Sequence, residues 1–118
     1  MEQVSFHENL KNKMDSYAHY AYSLTRSFPK EELFGITSQL RRAALSVILN
    51  YIEGYARMAR KSNRQFLDIA YGSLKESKYL LHFSFKENYL SEANYKKGVG
   101  MAEEIGAMLW STIKGLGE

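Results

Sequence analysis

The residues from Ser38 to Arg57, SQLRRAALSVILNYIEGYAR, constrain this chain more than any other stretch. Their apolar positions recur at helical spacing, yet they are too many for one face. Seven of the nine residues from Ala44 to Ile52 are apolar. A surface helix of a small domain needs one apolar stripe, about 100° wide. Here Leu40, Ala43 and Val47 make one line, and Leu45, Leu49 and Ile52 stand off it as a second. Such a helix is expected to be covered twice, once by its own bundle and once by a partner chain. Leu45, Leu49 and Ile52 are therefore the expected oligomer interface.

Three more segments carry helical periodicity. Leu10, Met14, Tyr17, Ala21, Leu24 and Phe28 recur at steps of 4, 3, 4, 3 and 4, a heptad-like seam. Pro29 ends it, because proline lacks an N–H and disfavours helical geometry in the residue before it. A turn follows through Lys30 to Gly35, with room for one short helical turn at Glu31 to Phe34. Thr37 or Ser38 is the expected cap of the second helix. Its seam is Ile36, Leu40, Ala43, Val47, Asn50 and Gly54, and it is expected to fray between Gly54 and Arg60. Ser62 followed by Gln65 matches a capping box, which predicts the start of the third helix. That helix has the seam Leu67, Ala70, Leu74, Ser77 and Leu81. Asn88 to Ser91 form the next turn, with Ser91 as N-cap. The fourth seam is Gly98, Ala102, Ile105, Leu109, Thr112 and Leu116. Gly98, Gly100 and Gly106 predict close helix approach there, or else a late start near Met101.

No segment alternates as a strand would. The expected fold is all-α: an antiparallel up-down-up-down four-helix bundle, one domain spanning residues 1–118. The length fits a single domain. With no cysteine, disulfides and thiolate chemistry are excluded, and a reducing cytoplasm fits. The N-terminal residues carry no signal-like apolar region. The longest apolar run falls far short of the ~18 residues of a membrane span, so no membrane partner is expected.

Several chemistries lack their residues. A di-iron bundle needs Glu-x-x-His on each of two helices. None of His7, His19 and His82 has a glutamate three residues earlier, and no histidine pair has ligand spacing. Neither a nucleophile elbow nor a phosphate-binding glycine loop is present. No metal, cofactor or catalytic residue is expected.

Ser46, Asn50, Glu53 and Arg57, spaced by 4, 3 and 4, share one face of the second helix. Buried polar groups are costly unless partnered, so a structural network is expected. Glu53 should pair with Arg57, and Asn50 should bond the backbone of a neighbouring helix. Such groups fix register or oligomer state. The rival reading is a polar ligand pocket.

The charge balance is mild: 16 Lys and Arg against 13 Asp and Glu. Its distribution is less even. Arg57, Arg60, Lys61 and Arg64 crowd the junction of helices two and three, and no acid intervenes between Glu53 and Asp68. The N-terminus of helix three adds free N–H groups and a positive dipole end. Together these predict a phosphate site. Arg41 and Arg42 are expected to extend it along helix two. Lys75 and Lys78 do so on helix three, diluted by Glu76. In a cyclic oligomer the cluster repeats and its potential adds. Tyr51 and Tyr55 read first as packing residues and second as platforms for bases.

These residues also carry a family resemblance. The run from Ser38 to Arg57, followed by Ser62, Phe66, Leu67 and the segment Ala70 to Glu76, resembles the four-helix-bundle 23S ribosomal RNA intervening-sequence proteins. It covers roughly Lys11 to Leu116, and family patterns map onto Asn50, Glu53, Gly54, Arg57, Gly72, Ser73 and Glu76. Relatives often carry Pro where this chain has Ile48 and Gly where it has Ala56. Ile48 is expected to straighten helix two, and Ala56 to alter the following turn. The resemblance implies a cyclic homopentamer. It is also similar to the accessory protein of diversity-generating retroelements, which implies nucleic acid and a reverse transcriptase as partners.

The leading expectation is a non-enzymatic oligomeric adaptor that binds RNA, or DNA/RNA hybrids, through phosphates. Its rival is a protein-interaction scaffold without nucleic-acid binding. An enzyme using Glu53 as base lacks a second acid or histidine to complete it.

Overall fold

The fold was read from a computed structural model, which describes residues 5–57 and 60–116; the side chains of residues 60 and 61 lie outside that description. Four helices carry the chain: α1 (Phe6–Thr25), α2 (Ile36–Ala56), α3 (Arg60–Lys86) and α4 (Glu92–Gly115). A single 3-10 turn, Lys30–Glu32, lies between α1 and α2. Among the described residues there is no strand.

Each helix packs against two neighbours, closing a ring in the order α1, α2, α3, α4. Contacts between them give the directions. His7 at the start of α1 bonds Tyr51 near the end of α2. Ser46 meets Ser73 in the middle of α2 and α3, while Asn63 at the start of α3 reaches the carbonyl of Gly54. Lys78 meets Glu103, and Tyr20 at the end of α1 meets Asn94 at the start of α4. Neighbouring helices thus run in opposite senses, as the sequence predicts.

The seams form the core. All six positions of the first seam, Leu10 to Phe28, are buried, although α1 itself ends at Thr25, ahead of Pro29, and Phe28 packs from the turn beyond it; Leu67, Ala70, Leu74, Ser77 and Leu81 of α3 are buried too. On α2 only Asn50 of the expected seam is half-exposed. On α4 the buried residue of the last turns is Ile113, and Thr112 is half-buried. Two diagonal helices meet through one polar contact: the Tyr17 hydroxyl lies 2.7 Å from Ser77 Oγ, both fully buried. Burial pushes the Tyr17 hydroxyl up to about 12.

Helix starts depart from expectation in two places. Gly35, not Thr37 or Ser38, precedes α2 as its cap, and Thr37 is buried inside the helix. The Glu32 carboxylate accepts the Ile36 N–H at 3.3 Å instead. A side chain from the preceding turn thus does the work expected of a capping hydroxyl. At α3, Ser62 sits in the first turn of a helix that begins at Arg60, so the Ser62–Gln65 box is not its start. The expectation holds at α4, where the Ser91 hydroxyl accepts the Asn94 N–H at 3.1 Å. α4 begins there and not near Met101.

Ile48 sits buried in α2, which runs unbroken from Ile36 to Ala56. At Gly54 a Cβ would stand 3.1 Å from Phe66 Cβ and 3.2 Å from the Asn63 carbonyl oxygen. Hydrogen at this position lets α2 and α3 converge at the basic junction. Gly98 lets Leu81 approach α4 in the same way, whereas Gly100 faces open space and supports no close approach.

Candidate nucleic-acid interface

The α2–α3 junction holds Arg57 at the C-cap of α2. Glu53, one turn earlier, binds its guanidinium through Nη2 at 2.9 Å and Nε at 3.0 Å. The same guanidinium lies over the Phe66 ring, 4.8 Å from its centre. The expected Glu53–Arg57 pair is therefore present, and Phe66 adds a second support. Arg64 approaches Asp68 at 3.5 Å. The side chains of Arg60 and Lys61 lie outside the described residues; their backbone opens α3.

The other expected contributors stand elsewhere. Arg41 and Arg42 lie near the start of α2, about 22–24 Å along the helix from Arg57 at 1.5 Å per residue. Arg41 is also engaged: its Nε donates to Thr25 Oγ1 at 2.8 Å, and it lies over the Tyr22 ring. Within one chain these two do not extend the junction cluster. They line a separate depression with Tyr22, Leu33 and Phe34.

The polar network forms on a different plan from the expected one. Asn50 donates to the Ser46 carbonyl and to Ser46 Oγ of its own helix, at 2.8 and 2.9 Å, not to a neighbouring helix. Ser46 Oγ, 2.9 Å from Ser73 Oγ, makes the link to α3. Glu53 takes no part, because it turns outward to Arg57.

The second stripe is present and uncovered. Leu45 is 38% exposed, Leu49 55% and Ile52 45%. Ile69 on α3 is similarly exposed, and the Ser46–Ser73 contact places it one turn along from that stripe's flank.

Three features escaped sequence reading. Phe34, in the turn after Pro29, is 93% exposed. His7 stacks on Tyr55 at 3.4 Å and bonds Tyr51, joining α1 to the end of α2. Trp110 packs obliquely on Tyr71 between α3 and α4. The cue for Trp110 was its place off the seam of Ile105, Leu109 and Thr112. His7 and Phe34 carried no comparable periodic cue.

Among the described residues no group of three or more His, Asp or Glu could hold a metal ion, and no helix is long and apolar enough to cross a membrane.

The sequence profile of the 23S rRNA-intervening sequence proteins matches residues 9–111. The chain belongs to that family. A crystal structure from Bacteroides thetaiotaomicron, of an S23 ribosomal protein family member with unknown function, superposes with a TM-score of 0.86. Its sequence is 23% identical, and the match covers 93% of this chain and 99% of that one. This intervening-sequence protein therefore shares its fold along nearly the whole length of that neighbour. No curated protein matches it.

Proposed function

We propose that this intervening-sequence protein is a non-enzymatic, oligomeric, cytoplasmic adaptor that binds RNA, or DNA/RNA hybrids, through backbone phosphates. One observation carries the reading. From Gly54 to Leu67 the chain has Arg57, Arg60, Lys61 and Arg64 and no acid, and Gly54 packs closely against Asn63, Phe66 and Leu67 at the start of α3. The carboxylates bordering it, Glu53 and Asp68, meet Arg57 and Arg64 in half-exposed pairs. Such pairs contribute about 0–1 kcal/mol. A phosphate, which takes the guanidinium fork in two charge-assisted bonds, competes with them readily. The family's name, with its reference to ribosomal RNA, agrees with this reading.

Fluorescence anisotropy of a labelled structured RNA, at several salt concentrations, tests it. Log K should fall linearly with log salt, by about 0.7 to 0.9 per phosphate contact. Alanine at Arg57, Arg60, Lys61 and Arg64 should flatten that slope. An unchanged affinity in the fourfold variant at low salt sinks the assignment.

A scaffold without nucleic-acid binding is the second reading, favoured by the exposed Leu45, Leu49 and Ile52. In the first reading this stripe seats a second copy; in the second it binds a second copy or another helix. The resemblance extends that to a pentamer and to a reverse transcriptase as partner. Leu49→Glu with Ile52→Glu should reduce the particle mass in light scattering. Equal masses would remove the stripe from the interface.

A further inference from the structure

The cleft between α3 and α4 has a composition that neither the bundle core nor the junction requires. It measures about 340 Å³, within the range of clefts that hold small ligands. Trp110 forms one wall and is 49% exposed, unusual for a side chain that is mostly buried in folded proteins. Its ring centre lies 5.6 Å from that of Tyr71, at 41°. Lys75 Nζ sits 5.3 Å over the Tyr71 ring. Among the described residues Lys75 has no acidic partner. Lys78 faces the same cleft and bonds Glu103 at 3.2 Å. Gly106 forms part of the lining, and a Cβ there would stand 3.4 Å from Leu74. The side chain missing at that point widens the cleft beside Trp110.

We infer that this cleft seats an unpaired nucleotide of a single-stranded nucleic acid, with its base stacked on Trp110 and its phosphate on Lys75. The inference rests on the nucleic-acid reading above and extends it to a second, separate site. Two features select this occupant. An exposed aromatic face next to an unneutralised ammonium calls for a ligand with both a π face and an anion, and a nucleotide has both. The site also continues the junction: Arg64, Tyr71, Lys75 and Lys78 are separated by 7, 4 and 3 residues and share one face of α3. Arg64 and Tyr71 are about 10 Å apart along the axis. One strand held by phosphates at the junction reaches the platform without leaving that face. Glu103 opposes an anion in the cleft, but Lys78 neutralises it.

Trp110 is the chain's sole tryptophan, so its emission reports this site alone. The experiment titrates the full protein with a fluorescein-labelled single-stranded oligoadenylate, following anisotropy and tryptophan emission together. Quenching should track the anisotropy isotherm. Trp110→Ala should weaken binding about tenfold, the scale of one lost stacked base, while Trp110→Phe keeps most of the affinity. Circular dichroism of both variants establishes that they fold.

Anisotropy that rises without quenching overturns the stacking site and leaves the phosphate reading standing. No rise at low salt overturns both. Equal quenching by adenosine monophosphate at the same concentration would assign the cleft to free nucleotides instead of a strand. A fall in particle mass in Trp110→Ala would make the cleft a contact between copies and overturn the inference.

Discussion

α1 and α2 are nearly equal in length, 20 and 21 residues, and each buries one apolar seam. Their outer faces differ. α1 turns Asn12, Asp15, Ser16, His19 and Ser23 to solvent, whereas α2 turns out Leu45, Leu49 and Ile52 between Arg42 and Glu53. Water is a sufficient partner for the first face. It is a poor one for the second, where an apolar stripe lies open with polar residues at its ends, the pattern of an interaction surface. Burial within the chain therefore separates two kinds of apolar residue that look alike in sequence.

The largest expected effect tests that separation directly. Leu40 and Met14 are fully buried, so alanine at either should cost about 2–5 kcal/mol. Leu49→Ala, on the outer stripe, should stay within about 0.5 kcal/mol in dilute protein. Urea denaturation at low and high protein concentration measures both. A Leu49→Ala cost that grows with concentration would show the outer stripe covered by a second copy. A cost as large as that of Leu40→Ala in dilute protein would mean the two stripes do not differ.

Glycines divide in the same manner. Gly54→Ala pushes a methyl group against Phe66 and the Asn63 backbone, and overpacking of this kind costs about 1–3 kcal/mol. Gly100→Ala meets nothing within 4 Å and should stabilise α4 by up to about 1 kcal/mol through helix propensity. Thermal melts of the two variants should therefore move in opposite directions. A Gly54→Ala protein as stable as the parent would show that α2 and α3 need not converge at the basic junction.

A smaller effect is expected at the diagonal contact. Tyr17→Phe removes the hydroxyl facing Ser77, and Ser77 keeps its bond to the Leu74 carbonyl. The cost should be about 0.5–1.5 kcal/mol. The pH dependence has a definite sign. Because the folded hydroxyl titrates near 12 and the free one near 10, stability is full below pH 10 and falls as pH rises towards 12. Tyr17→Phe should reduce that alkaline loss; equal alkaline melting curves would contradict it.

Legibility followed the range of each interaction. Seams at steps of three and four depend on local helix geometry, and the α1, α2 and α3 seams read from sequence lie in the core with only Asn50 half-exposed. The Glu53–Arg57 pair was legible for the same reason. Caps were less so: Glu32, reaching from the 3-10 turn, replaced the hydroxyl that Thr37 or Ser38 advertised. Lys78–Glu103 and Tyr71–Trp110 depend on the register between α3 and α4, which no periodicity within either helix reveals. Arg41 looked available in sequence, but its partner Thr25 belongs to a different helix. The apolar excess on α2 was legible because it is a count.

The smallest expected effect concerns the place where titratable groups join the start of α1 to the end of α2. His7 bonds the Tyr51 hydroxyl at 2.8 Å and stacks on Tyr55. Its pKa is lowered from 6.5, first by burial and then by Lys11, with Glu8 acting in the opposite sense. A histidine held below its free pKa binds fewer protons folded than unfolded. Its contribution is therefore complete above pH 6.5 and declines as pH falls, until the folded side chain is protonated too. Melting temperature should drop more between pH 7.5 and pH 5 in the parent, by the ordinary histidine range, than in His7→Gln. If the two proteins lose the same amount, the His7 contact is not the acid-sensitive link between these helices.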